Sequence, residues 1–397
     1  MNNERWLLPE GIEELLPPQA ERLEQLRREL LELFKSWGYE LVIPSLVEYL
    51  DSLLTGTGND LNLQTFKLTD QLNGRMMGVR ADITPQVARI DAHRLLDRVG
   101  PVRLCYEGTV LHTRGDGLGG ARSFRQIGAE LYGHRGVESD AEMLNLMLHA
   151  LALAEVGPVF VDLGHVGIFR ALTQSAGLSA EQESALFDAL QRKAVPDIQD
   201  LLGSLDVDAS AHQAFEELVW LNGDSDVLAR ARQSLARNPA ALRAVDEIEQ
   251  VAERVSRQQP GLQLHFDLAE LRGFHYHTGV VFAAYQPGQG QAIAQGGRYD
   301  DIGKVFGRAR PATGFSADLR SLIALRIESL GAMKTSLNAG VFAPANDAPA
   351  LMAKIAELRA AGQRVVCELS GQEGGAAAAG CTQKLVIQDG QWVVAEA

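Results

Sequence analysis

Cysteine is scarce: Cys105, Cys367 and Cys381 are the only three in 397 residues. An odd number without a CxxC pair signals neither a disulfide framework nor a cysteine zinc site, so all three read as free thiols. Also missing are a GxxxxGK[ST] phosphate loop, a GxSxG nucleophile elbow and an HExxH helix, which leaves P-loop and hydrolase readings without an anchor. Positive charge is in deficit. With 37 Lys+Arg against 51 Asp+Glu the formal net charge is -14, a balance that repels polyanions and disfavours a primary role on nucleic acid. No uncharged apolar run reaches the ~18 residues of a membrane span. The opening MNNERWLLPEGIEELLPP is acidic and broken by prolines, unlike the basic-then-apolar order of a secretory signal. The expectation is a folded cytoplasmic protein that does not engage a membrane.

What is present suits a globular chain of two or three domains, with 46% hydrophobic and 22% charged residues. After Pro17-Pro18, apolar residues at Leu23, Leu26, Leu30, Leu33, Phe34 and Trp37 fall on one helical face, and Gly38 supplies a stop. Tyr39 to Ile43 is β-prone and ends at Pro44. From Thr65 to Gly133 the runs FKLTD, MMGVRADITP, VRLCYEG and FRQIGAELYG read as consecutive short strands with turns, which predicts an antiparallel sheet. Ala141 to Ala154 reads as a buried helix, and VGPVFVDLGHVG as a further strand. Residues 168–259 change to leucine and alanine at helical spacing, a helical insertion. Strand signals resume at LQLHFDLAEL and VVFAAY, so one sheet is interrupted and then completed. A core of residues 1–167 and 260–330 and a small αβ unit over 337–397 follow. In that last unit SGQEGGAAAAG reads as a turn-rich connector and KLVIQDGQWVV as a hairpin around Asp389-Gly390.

Four constellations carry polar chemistry. In RADITP, read as a strand end, Asp82 and Thr84 point to one face and could hold an ammonium group, or belong to a solvated end. In FRQIGAE, Gln126, Gly128 and Glu130 share a face that is either solvent or a polar pocket, with Gly128 leaving room for a ligand over the sheet. In RGFHYHTG, Arg272 stands beside His275, Tyr276 and His277. That grouping suits a carboxylate-bearing ring ligand or a packed strand, and two histidines two apart are a weak metal signal. In GGRYDDIGKVFG, Gly296-Gly297 allows a close backbone approach or a sharp bend.

Their order along the chain closely resembles histidyl-tRNA synthetase over roughly residues 5 to 330, with RG-x-x-Y-x-TG followed by GGRYD as the most specific part. The resemblance implies a class II synthetase-like α+β fold, an antiparallel sheet with flanking helices. It also implies that Asp82, Thr84, Gln126, Glu130, Arg272 and Tyr276 surround a histidine, with Glu130 accepting from the imidazole and Arg272 facing the carboxylate. His277 replaces a tyrosine of the family pattern.

The departures lie on the ATP side. The family's phosphate-gripping arginine falls at His112 and the following glutamate at Arg114. In the third motif GFSADLRSL, Asp318 replaces a glycine and Ser321 the second phosphate-binding arginine. Arg320 stands one residue away, rotated by about 100° on a helix and so directed elsewhere. A synthetase-like chain without its ATP arginines resembles the regulatory subunits of ATP phosphoribosyltransferase. That resemblance implies no catalytic residues, cofactor, metal or tRNA. It implies a short catalytic partner subunit in the first step of histidine biosynthesis, histidine as feedback effector, and a homodimer, through the first helix and the region of Pro44 and Glu48, within a hetero-oligomer. The alternatives are an active histidyl-tRNA synthetase-like adenylating enzyme and a stand-alone amino-acid-binding adaptor.

Overall fold

The structure, a computed structural model, describes every residue except 1–5, 56–58, 116–119, 206, 272, 275 and 330–339, and leaves out the side chains of 59–60 and 327–329. The chain divides into two compact units, Met1–Gly331 and Ala332–Ala397. No described helix is long and apolar enough to cross a membrane.

The first unit is built on a nine-stranded sheet. Its spatial order is Glu40–Leu41, Val102–Leu111, Ser123–Tyr132, Ala312–Asp318, Ala294–Arg298, Val280–Tyr285, Phe160–His165, Gln263–Asp267 and Asn222–Gly223. The pairs are antiparallel except Glu40–Leu41 with Val102–Leu111, and Phe160–His165 with Gln263–Asp267. Among the described residues six helices lie between Phe160–His165 and Gln263–Asp267, and their buried faces join the main core rather than forming a separate one.

Alternation along Ser123–Tyr132 gives the sheet two unlike faces. Ile127, Ala129 and Leu131 enter the larger core, where the helices Gln19–Ser36, Val137–Leu153 and Pro239–Gln258 pack. The opening helix presents Leu23, Leu26, Leu30 and Phe34, the predicted stripe. Tyr132, on the opposite face, joins Tyr106, Tyr299, Ile83 and Val87 in a second, smaller core. This tyrosine-rich face carries the site.

MMGVRADITP is not one strand. Its β part stops at Val79, in a separate three-stranded sheet with Val47–Tyr49 and Phe66–Thr69, and a helix runs over Thr84–Arg94. Pro85 stands at the start of that helix, where its missing N–H costs nothing. One charged knot fixes the central strands against Val137–Leu153. Arg298 is 5% exposed, and its guanidinium reaches Asp140 Oδ2 at 2.9 and 3.1 Å and Ser139 Oγ at 2.8 Å.

The second unit is a four-stranded sheet in the order Val365–Cys367, Gly340–Ala343, Cys381–Gln388 and Gln391–Glu396, with the helix Pro349–Ala360 packed through Leu351, Ile355 and Leu358. Its hairpin turns at Asp389 (φ 48°) and Gly390 (φ 76°), two positive φ values that match the twist of the flanking strands. The SGQEGGAAAAG connector includes a short helix, Gly375–Ala378.

Candidate functional site

A cavity of about 180 Å³ opens over the tyrosine-rich face, with Asp82, Thr84, Glu130, Tyr276, His277 and Tyr299 in its wall. Glu130 is fully buried. Tyr106 Oη donates to its Oε1 at 3.0 Å, and Tyr299 Oη donates to Oε2. Thr84 Oγ1 lies 3.0 Å from Tyr106 Oη, so one polar chain runs from Thr84 through Tyr106 and Glu130 to Tyr299. Burial pushes the Glu130 carboxyl up to about 8, against the pull of the two phenols. Burial also raises both phenols well above their ordinary range, which keeps them as donors. Tyr276 stacks on Tyr299 with centroids 4.9 Å apart, and its own buried hydroxyl has no hydrogen-bond partner among the described residues. A ligand that brings an N–H to Glu130 meets a pre-built acceptor.

Glycines make this arrangement possible. Gly314 pairs with Glu130 across the sheet, and a Cβ there would lie 1.6 Å from Glu130 Oε2. Gly128 pairs with Tyr106, whose hydroxyl would stand 2.5 Å from an added Cβ. The room expected at Gly128 for a ligand is therefore taken by the Tyr106 phenol, because the register places that ring over it.

At the other end, Asp82 stands just before the helix Thr84–Arg94 rather than in a strand. Its Oδ1 accepts from Thr84 N at 3.1 Å and from Gln126 Nε2 at 2.8 Å, while Gln126 Oε1 accepts from Ile83 N at 2.9 Å. Gln126 does not line the small cavity; it positions Asp82 and faces a second, larger one of about 610 Å³. The two cavities share Asp82, Gln295 and Ser316.

Of the residues predicted from sequence, the fold gathers Asp82, Thr84, Glu130, Tyr276 and His277 around one cavity. Arg272, like its neighbour His275, lies outside the described residues. The described residues of RGFHYHTG form no strand: Tyr276 and His277 donate their amides back to Gly273 O at 2.8 and 2.7 Å in a turn. Among the described residues no cluster of His, Cys, Asp and Glu is placed to hold a metal. Sequence reading missed Tyr106, Tyr299, Asp162 and Glu270, of which the last three line the cavity. Tyr299 lies inside the quoted GGRYD, but only the fold brings its ring to Glu130.

The larger cavity occupies the side where a nucleotide would be expected. His112 Nε2 sits 2.9 Å from Ala81 O and its ring packs on Phe124. Asp318 accepts from the backbone N–H of Arg125 at 2.8 Å and from Ser321 N and Oγ at 3.1 and 2.7 Å, so it caps the helix Leu319–Ser329. Arg320 turns away to Ser123 O and Glu13, and Arg114 is exposed. Neither lysine nor arginine appears among the described residues lining this cavity. Among these described residues phosphate-gripping chemistry finds no cation.

Comparison with known proteins follows the same division. The family model described as Histidyl-tRNA synthetase matches residues 11–322, and the one described as ATP phosphoribosyltransferase subunit HisZ C-terminal domain matches 338–395. A protein of Thioalkalivibrio sulfidiphilus named ATP phosphoribosyltransferase regulatory subunit is 58% identical, over 100% of this chain and 99% of its own. This chain belongs to the family of ATP phosphoribosyltransferase regulatory subunits. A family member from Alkalilimnicola ehrlichii is 56% identical over 98% of this chain and 96% of its own. Regulatory-subunit names along the whole chain do not favour the adenylating alternative. A crystal structure of an ATP phosphoribosyltransferase regulatory subunit/histidyl-tRNA synthetase from Bacillus halodurans C superposes with TM-score 0.82 at 26% identity, covering 94% of this chain and 96% of that one. Histidyl-tRNA synthetase from Nostoc sp. PCC 7120 shares the fold, with TM-score 0.78, 22% identity, and 98% and 97% coverage.

Proposed function

We propose that this regulatory subunit senses histidine in the smaller cavity and passes the signal to a short catalytic subunit, a glycosyltransferase that moves the phosphoribosyl group of phosphoribosyl pyrophosphate to ATP and releases pyrophosphate. The observation that carries this reading is Glu130, an acceptor sealed at the end of an amino-acid-sized cavity by two phenols. In it the imidazole N–H donates to Glu130, the ammonium is taken by Asp82 and Thr84, and Gln126 holds Asp82 in place. By the family pattern Arg272 faces the carboxylate. No side chain here acts on a bond of the substrate.

Feedback then requires that histidine bind unequally to the active and inhibited assemblies, and the catalytic subunit must shift histidine affinity by the same factor. The proposal includes a cytoplasmic hetero-oligomer around a homodimer formed by the first helix and the region of Pro44 and Glu48, with no part for tRNA.

Calorimetric titration of the purified chain with histidine tests the pocket. Removing a charge-assisted acceptor costs about 1.5–3 kcal/mol, so Glu130→Gln should weaken binding by roughly ten- to a hundredfold. Equal affinity in the two proteins would refute the assignment.

A further inference from the structure

The larger cavity is lined in part by third-motif residues, its described lining holds neither lysine nor arginine for a nucleotide's phosphates, and it adjoins the proposed histidine seat. We infer that it is a second subsite, one that accepts a neutral or cationic polar group attached through the effector's carboxyl carbon and rejects an anionic one. The inference rests on the histidine reading above.

The geometry runs from Asp82. This carboxylate lines both cavities, and Gln295 and Ser316 complete the shared wall. A ligand with its ring at Glu130 and its ammonium at Asp82 has its carboxyl carbon one bond from the carbon bearing that ammonium. Whatever is attached there leaves the small cavity at the shared wall and enters the large one. About 610 Å³ is available beyond it, more than a water cluster needs and ample for a short chain.

Electrostatics set the class of group. Among the described lining residues the charged ones are Asp82 and Asp318, with His112 the remaining basic type. His112 Nε2 is turned to the Ala81 carbonyl at 2.9 Å, and Asp318 stays fixed at the helix start by Ser321. The amides of Gln64, Gln126 and Gln291 supply neutral donors and acceptors. Beyond Arg272, which the histidine reading sets at the effector's own carboxyl, the described lining residues present two carboxylates and neither lysine nor arginine; these repel phosphate or carboxylate and attract an ammonium, and partial enclosure weakens solvent screening of both effects.

The test uses the full-length chain and three histidinamides whose amide nitrogen carries a two-carbon arm ending in ammonium, hydroxyl or carboxylate. Each is titrated calorimetrically, alone and in competition with histidine. The subsite predicts that the ammonium- and hydroxyl-ended compounds bind about tenfold or more tightly than the carboxylate-ended one, the equivalent of about 1.4 kcal/mol. Ser321→Arg, which restores a guanidinium to the larger cavity, should narrow or invert that order. If histidine binds but none of the three compounds displaces it, or if the carboxylate-ended compound binds as well as the ammonium-ended one, the subsite is refuted and the histidine reading stands. An unchanged order in Ser321→Arg counts against it too. Absence of histidine binding sinks the reading and the subsite together.

Discussion

Glu130 concentrates the physics of the pocket in one side chain. Its carboxyl is raised by burial from 4.5 to about 8, so between those values the folded chain holds a proton that the unfolded chain has released. Stability therefore falls as pH rises through that window. Glu130→Gln should flatten this decline, read as Tm against pH from 5 to 8; an unchanged slope would contradict the burial argument. A donated imidazole N–H favours the ionised carboxylate, so histidine binding should release a proton near pH 7, visible as a buffer-dependent calorimetric heat. The neighbouring glycines are equally exacting. Gly314→Ala would drive a methyl into the Glu130 carboxylate. It should cost about 1–3 kcal/mol as an overpacked site and abolish histidine binding; full affinity in a folded Gly314→Ala protein would contradict the packing described here. Little of this was legible beforehand. Glu130 could be picked out because the order of the motifs resembles histidyl-tRNA synthetase, while FRQIGAE by itself left that face open between solvent and a pocket; Tyr106 and Tyr299 reach it through pairings across the sheet that no local pattern encodes.

Element by element, the sequence was clearest where periodicity was strong. Leu23, Leu26, Leu30 and Phe34 announced the first helix, and Asp389-Gly390 the final turn. RADITP misled because proline ends a strand and begins a helix with equal ease. Here the backbone turns helical at Thr84 with Pro85 in the first turn, and the bond from Thr84 N to the Asp82 carboxylate at that start is visible only in three dimensions. Asp162 lay unremarked within a strand, since an acidic residue among VFVDL carries no sign of which cavity it will face. Arg298 ties the strand Ala294–Arg298 to the helix Val137–Leu153 through Asp140, both nearly fully buried. Arg298→Met leaves Asp140 without its cation and should destabilise by about 3–5 kcal/mol. Denaturant unfolding measures this, and a loss below about 1 kcal/mol would show that water replaces the guanidinium.

Across the whole molecule, every described residue of both cavities lies in the first compact unit. A chain ending at residue 331 should thus bind histidine within about threefold of the full-length protein, a change under the 1.4 kcal/mol of a tenfold effect. Calorimetry checks it, and loss of binding would make the second unit part of the sensor. The family's name places the readout in another subunit, so the decisive test is turnover of ATP and phosphoribosyl pyrophosphate by the short catalytic subunit mixed with this chain, across a histidine titration. With wild-type chain, histidine should inhibit. With Glu130→Gln the complex should turn over normally, while half-inhibition moves to at least about tenfold higher histidine. Inhibition of the Glu130→Gln complex at the wild-type concentration would contradict the account, because histidine would then be sensed somewhere other than this cavity.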